Sequence, residues 1–177
     1  MMTDYKIHTL ETAPEDSCAR LGATEQKLGF IPNMLAVMSE SPVALEAYQG
    51  IQGTFAKSTL SPAEQQFVAL SVSISNGCSY CVPVYSMFSA KAGVPQEIID
   101  AVRNGNPIED DRFSALRTFS TAVVKKRGQV SVAEVEAFLG AGFTKAQVLE
   151  VIVGAAFKLI SNYTNHVADI PLNEAFQ

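Results

Sequence analysis

A proline two residues after a cysteine pair limits how this chain can fold more than any other feature. It lies in SPAEQQFVALSVSISNGCSYCVPVYSMFSAKAG, residues 61–93. Pro83 has no backbone N–H, and in a helix interior its ring clashes with the carbonyl four residues back. The helix that carries it must therefore begin near Cys78 to Tyr80, so that Pro83 falls in the first turn, where N–H groups are unpaired in any case. The preceding helix is bounded as firmly. Ser61 is an N-cap, Pro62 suits the first helical position, and Glu64, three residues after the cap, completes a capping box. Asn76-Gly77 is the turn between the two helices.

Cys78 and Cys81 thus lie in or beside a first helical turn. Unpaired N–H groups and the positive end of the helix dipole stabilise a thiolate there, which lowers a cysteine pKa from about 8.5 to between roughly 3.5 and 7.5. Two intervening residues also let the sulfurs close a small disulfide ring, so the pair can cycle between oxidised and reduced forms. A zinc site is a weaker reading, because it usually takes four Cys or His ligands. Only Cys18, His8 and His166 remain, and they form no second paired motif, so neither a metal nor a cofactor is expected. Two inert buried thiols are the plain alternative, since free cysteine is among the most buried residue types.

Asn76-Gly77-Cys78-Ser79-Tyr80-Cys81, preceded by LSPAEQQFVALSVSIS and followed by AKAGVP, resembles the core of the carboxymuconolactone decarboxylase and AhpD-like alkylhydroperoxidase family. The phrases LGFIPNMLAVMSESPVALEAY and NHVADIPLN resemble its peroxidase-related branch. The resemblance implies an all-α, AhpD-like helical bundle that assembles into a homo-oligomer (trimer, hexamer or dimer). It also implies a CxxC dithiol that reduces a small peroxide substrate, with a protein dithiol or disulfide as electron donor. The family's usual assignment makes Cys81 the attacking thiol and Cys78 the resolving one. Active members have a glutamate twelve residues before the first cysteine and a histidine four after the second; here those positions hold Gln66 and Tyr85. Glutamine cannot take up a proton near neutral pH, and a tyrosine of pKa about 10 is a poor base there. The dithiol is kept and the relay is not, so slow peroxide chemistry is expected. Changing Gln66→Glu and Tyr85→His together should then raise the rate, by up to about 10² to 10⁴. His166, in SNYTNHVAD, is the one histidine in a family-like segment; it is either a helix-end contact or a group that a neighbouring subunit brings to the thiols.

Composition narrows the classes. A chain of 177 residues is expected to be a single domain, residues 1–177, with its core motif at 61–93. A net charge of −5 argues against a nucleic-acid surface. No basic leader and no apolar run of about 20 residues is present, so no membrane partner is expected and the protein is placed in the cytoplasm. Three cysteines, one close pair among them, fit redox use in a reducing compartment better than a disulfide framework.

In chain order, residues 1–13 are expected to be irregular. Helices are expected over Pro14 to Leu28, Asn33 to Met38, Val43 to Lys57, Gln96 to Arg103 and Arg112 to Lys126, with capped starts at Ser131 and Thr144. Cys18 is read as a packing or surface thiol. Gly50 and Gly53, each costing up to about 1 kcal/mol relative to alanine in a helix, point to a close helix contact. The last helix, apolar almost all round from Val148 to Phe157, points to a subunit interface, with Gly154 to Ala156 allowing close approach. Three functions fit: a CxxC-dependent oxidoreductase of the AhpD-like kind, a carboxymuconolactone decarboxylase-like enzyme, or a non-catalytic helical oligomer with a vestigial dithiol.

Overall fold

In a computed structural model, residues 4–176 form nine α-helices and a closing 3-10 turn, with no strand among the described residues. The helices are α1 (Glu15–Leu28), α2 (Asn33–Met38), α3 (Pro42–Phe55), α4 (Pro62–Ser75), α5 (Cys81–Lys91), α6 (Gln96–Asn104), α7 (Asp111–Lys125), α8 (Val132–Gly140) and α9 (Lys145–Ala168). The 3-10 turn is Glu174–Phe176. The expected irregular opening holds from Asp4 to Thr9, and its first three residues lie outside the described ones. His8 pins this segment: its ring bonds Glu40 at 2.7 Å and the Thr12 carbonyl at 2.8 Å.

Local capping chemistry sets the helix starts. Reciprocal capping boxes form at Ser61 with Glu64, Ser131 with Glu134, and Thr144 with Gln147, and Ser41 and Asp110 cap α3 and α7. Each satisfies N–H groups that would otherwise be orphaned at a helix end. Glu64 also pairs with Arg112, whose guanidinium stacks on the Phe143 ring at 3.9 Å. That pairing ties α4 to α7.

Helix α4 is the hub, packed by α5, α7 and α9. From Glu64 to Ser73 every residue but one is buried, and the exception is Gln66. Phe67, Val68, Leu70 and Val72 are fully enclosed. A helix covered on several sides needs no polar face, which is why its sequence shows little amphipathicity.

Helices α9 and α3 each correct one expectation. Its glycine is a point of close approach, but to its own chain: a Cβ at Gly154 would stand 2.7 Å from Phe55 and 2.9 Å from Val68. The buried stripe runs through Val151, Gly154, Phe157, Lys158, Ser161 and Asn165, against α3 and α4. The opposite face leaves Leu149, Ile152, Tyr163 and Val167 exposed. Gly50 and Gly53, in contrast, have open space where a side chain would go, so they mark no helix contact.

Candidate active site

The dithiol loop is held from both sides. Gly77, at φ +68, reverses the chain after α4, a conformation that glycine adopts without steric cost. The Cys78 N–H donates to the Ser73 carbonyl at 3.0 Å, and the Asn76 amide donates to Asn162 Oδ1 on α9 at 2.9 Å. The Val82 N–H then donates to the Cys78 carbonyl at 3.1 Å, which opens the first turn where the proline argument puts it. Regular helix begins only at Cys81, because Pro83 cannot supply the next bond. All three cysteines are free thiols. The Cys81 N–H, one of the unpaired donors of this turn, donates to Cys78 Sγ at 3.2 Å.

Cys81 forms part of the wall of a pocket of about 750 Å³, and Gln66 and Tyr85 share that wall. Five aromatic rings, those of Tyr48, Tyr80, Tyr85, Phe88 and Phe176, face the same space. Helix α1 borders it with Arg20, Ala23 and Lys27. Cys78, fully enclosed, lies behind Cys81 and outside the lining. His166 is exposed on the outer face of α9 with Tyr163 and lines no part of the pocket. Cys18 bonds the Leu10 and Pro14 carbonyls, each at 3.5 Å, and stays outside the pocket. Among the described residues no group of three His, Cys, Asp or Glu side chains converges as metal ligands.

Sequence reasoning missed Lys158. It is completely enclosed, yet lines the pocket beside Cys81. Its ammonium lies 3.8 Å from the centre of the Tyr85 ring and 5.0 Å from that of Phe157, and donates to Ser161 Oγ at 2.9 Å. Ser161 Oγ is also 3.9 Å from Cys81 Sγ, so one hydroxyl bridges lysine and thiol. The available signal was register: Lys158 falls on the buried stripe of α9, one turn after Gly154 and followed by Ser161 and Asn162.

The two thiols differ sharply. A hydrogen bond from Cys78, then the positive charge of Lys158 and bonds from Asn162 and Ser161, outweigh burial and bring Cys81 down to about 5. The bond that Cys78 gives Cys81, and then burial, push Cys78 well up. On sequence grounds such lowering is attributed to first-turn N–H groups; in the structure the Cys81 N–H goes to Cys78 Sγ, and the causes at Cys81 are neighbouring side chains. Burial first, then the phenol of Tyr48, raises Tyr85. Burial lowers Lys158, while the two cysteines oppose that shift.

A polar clasp fixes the loop from the side of Tyr80. Its hydroxyl donates to Asn173 Oδ1 at 2.8 Å and accepts the Met34 N–H at 3.4 Å. Asn173 Oδ1 also accepts the Asn33 N–H at 2.9 Å, and the Asn33 amide donates to the Pro171 carbonyl at 2.9 Å. Phe176 completes the wall, with ring centroids 5.5 Å from Phe30 and 6.3 Å from Tyr80 and Phe88.

Comparison with known proteins agrees with this architecture. Residues 51–108 match the model of the carboxymuconolactone decarboxylase family. Over 99% of this chain and 95% of the other, the fold follows the alkylhydroperoxidase AhpD core of a peroxidase-related protein from Ralstonia eutropha JMP134, at TM-score 0.87 and 23% identity. A peroxidase-related protein from Silicibacter sp. TM1040 is similar at TM-score 0.82 and 17% identity, covering 98% of this chain and 92% of that one. The alanine-for-cysteine variant of the debrominase Bmp8, in complex with 2,3,4-tribromopyrrole, is similar at TM-score 0.78 and 19% identity, covering 99% and 95%. At these identities the likeness establishes the fold. No curated protein matches the chain.

Proposed function

We propose, from the match of residues 51–108 to the carboxymuconolactone decarboxylase family model and from the AhpD-like fold, that the chain is a member of that family and a CxxC-dependent thiol oxidoreductase. It reduces an organic peroxide or exchanges disulfides with a dithiol partner. One observation carries this reading: Cys81 lies on the wall of a largely apolar pocket beside Lys158 and Ser161, and its own N–H donates to the Cys78 sulfur behind it at 3.2 Å. In the reaction the Cys81 thiolate attacks a peroxide oxygen and becomes a sulfenic acid. The Cys78 thiol then condenses with it to a disulfide, releasing water. An external dithiol returns both thiols. The aromatic lining favours an organic substrate over hydrogen peroxide.

The test is thiol counting and intact mass before and after a stoichiometric dose of cumene hydroperoxide. The expected product has lost two hydrogens per chain, with Cys78 and Cys81 joined and Cys18 still alkylatable. Unchanged thiols would favour the vestigial-dithiol reading, and turnover of a muconolactone that survives Cys81→Ser would favour the decarboxylase. The five rings that line the pocket and the halopyrrole held by the similarly folded Bmp8 variant favour a second reading, reductive dehalogenation of a small aromatic. Dithiol-dependent halide release is its readout. The exposed apolar face of α9 supports a homo-oligomer. No helix among the described residues is long and apolar enough to cross a membrane, and free thiols suit a reducing compartment such as the cytoplasm.

A further inference from the structure

A buried ammonium is costly unless an anion pairs with it, and Lys158 has no carboxylate partner. The four ion pairs among the described residues leave it out, and no Asp or Glu lines the pocket. What surrounds it is Ser161 and the Phe157 ring on its own helix and Tyr85 and the two cysteines at the head of α5; Tyr48 on α3 and Gln66 on α4 line the same pocket, and Asn162 lies against Cys81. Burial holds the two phenols protonated, and the bond to Cys81 does the same for Cys78. Cys81 is the one neighbour that can carry a negative charge at neutral pH. The Tyr85 ring supplies the rest of the cation's environment, a π face in place of water.

We propose that Lys158 is the counter-ion and proton carrier of Cys81, supplying from α9 the proton transfer that Gln66 and Tyr85 cannot. The proposal rests on the oxidoreductase reading. In the resting pair the Cys81 thiol has passed its proton to Lys158, giving thiolate and ammonium bridged by the Ser161 hydroxyl. When the thiolate attacks a hydroperoxide, the S–O bond forms and the O–O bond breaks. Sulfur is oxidised by two electrons, and an alkoxide leaves. Lys158 gives its proton to that alkoxide, so alcohol departs and a neutral amine remains. Cys78 and the sulfenic acid then release water on forming the disulfide, which leaves the lysine neutral. Reduction by an external dithiol restores the Cys81 thiol, whose proton returns to the amine. Burial lowers the lysine's basicity and so helps the delivery step, since a desolvated ammonium gives up its proton readily, while the attraction of the two cysteines opposes that lowering and favours the return of the proton.

The test is site-resolved alkylation of reduced Cys81 by iodoacetamide between pH 4.5 and 9, in the wild type, Lys158→Met and Lys158→Arg. A neighbouring opposite charge moves a pKa by about 1 to 3. From a value of about 5, Lys158→Met should slow alkylation at pH 5 by between about 5- and 500-fold. Lys158→Arg should keep most of the low-pH reactivity. An unchanged profile in folded Lys158→Met would overturn the ion pair. At pH 9, where Cys81 is ionised in both, Lys158→Met should still reduce tert-butyl hydroperoxide about 10²-fold more slowly; equal rates there would overturn the proton delivery. If Lys158→Met does not fold, the pair is read from its other side, by NMR of labelled lysine in Cys81→Ser. There the Lys158 ammonium should lose its proton at lower pH than in the wild type, and an identical titration would overturn the pairing. A profile that shifts in a protein that turns over neither peroxide nor disulfide keeps the ion pair and defeats the oxidoreductase reading alone.

Discussion

Replacing Gly154 by alanine sets two effects of opposite sign against each other, and the geometry decides between them. In a helix interior alanine is favoured over glycine by about 1 kcal/mol, so on propensity alone Gly154→Ala stabilises. The new methyl, however, would stand 2.7 Å from Phe55 Cζ and 2.9 Å from Val68 Cγ1, against roughly 3.5 to 4.0 Å for carbon atoms at rest. Neither neighbour can turn away: Val68 is fully enclosed, and Phe55 is buried against Phe157. Overpacking of this kind costs about 1 to 3 kcal/mol. The net expectation is a loss of up to about 2 kcal/mol once propensity is subtracted. In a chain of this size that lowers Tm by up to about 8 °C. Urea unfolding followed by circular dichroism reads it as a lower midpoint at constant slope. The strain should also reach the site, because Lys158 and Ser161 lie one and two turns further along α9, and pushing α9 from α3 and α4 moves both away from Cys81. Alkylation of Cys81 at pH 5 should slow along with the loss of stability. A variant stabilised by about 1 kcal/mol, with unchanged Cys81 reactivity, would refute the reasoning.

Asn173→Ala removes the acceptor shared by Tyr80 and the Asn33 N–H; at about 1 kcal/mol per lost bond it should cost about 1 to 3 kcal/mol in chemical unfolding and loosen the loop enough to raise the Cys81 pKa in the alkylation profile. Ile152→Asp places a charge on the exposed apolar face of α9, and light scattering should then show a smaller species than the wild type; a wild-type monomer at micromolar concentration would remove that face from consideration. Gln66→Glu with Tyr85→His, which the sequence alone predicts to be faster, should instead be slower in peroxide kcat/KM. The new carboxylate competes for Lys158 on the wall of the same pocket, and the lost ring leaves the ammonium without its π face; a gain of about tenfold or more would reinstate the family relay.

Helix starts were legible because capping is local. Ser61, Ser131 and Thr144 announce their helices through one residue three positions on, and nothing distant can change that chemistry. Pro83 worked in the same way, fixing where the dithiol helix could begin. Cys81, Gln66 and Tyr85, which the resemblance groups by spacing alone, line one pocket wall. The errors all concern what a face meets. Periodicity marked α9 as apolar but could not say which side its own chain covers, so Gly154 was assigned to a partner when it meets Phe55 and Val68. Gly50 and Gly53 meet nothing of their own chain where a side chain would go.

The missed lysine has a different cause. The family-like positions for an acid and a base hold Gln66 and Tyr85, and a lysine at the edge of an apolar run reads as a solvated helix residue. Only the three-dimensional register, with Val151, Gly154, Lys158, Ser161 and Asn165 on one buried stripe, turns it inward. The same register explains the flanking phrases. Asn33, from the upstream one, and Asn173, from the downstream one, meet at the Tyr80 hydroxyl between the two cysteines, while α9 carries Lys158, Ser161 and Asn162 to Cys81 from another direction. The dithiol motif is therefore incomplete as a site on its own helix. Ser161, 80 residues later in the chain, meets the Cys81 sulfur, and the tyrosine between the cysteines is held from both ends of the sequence.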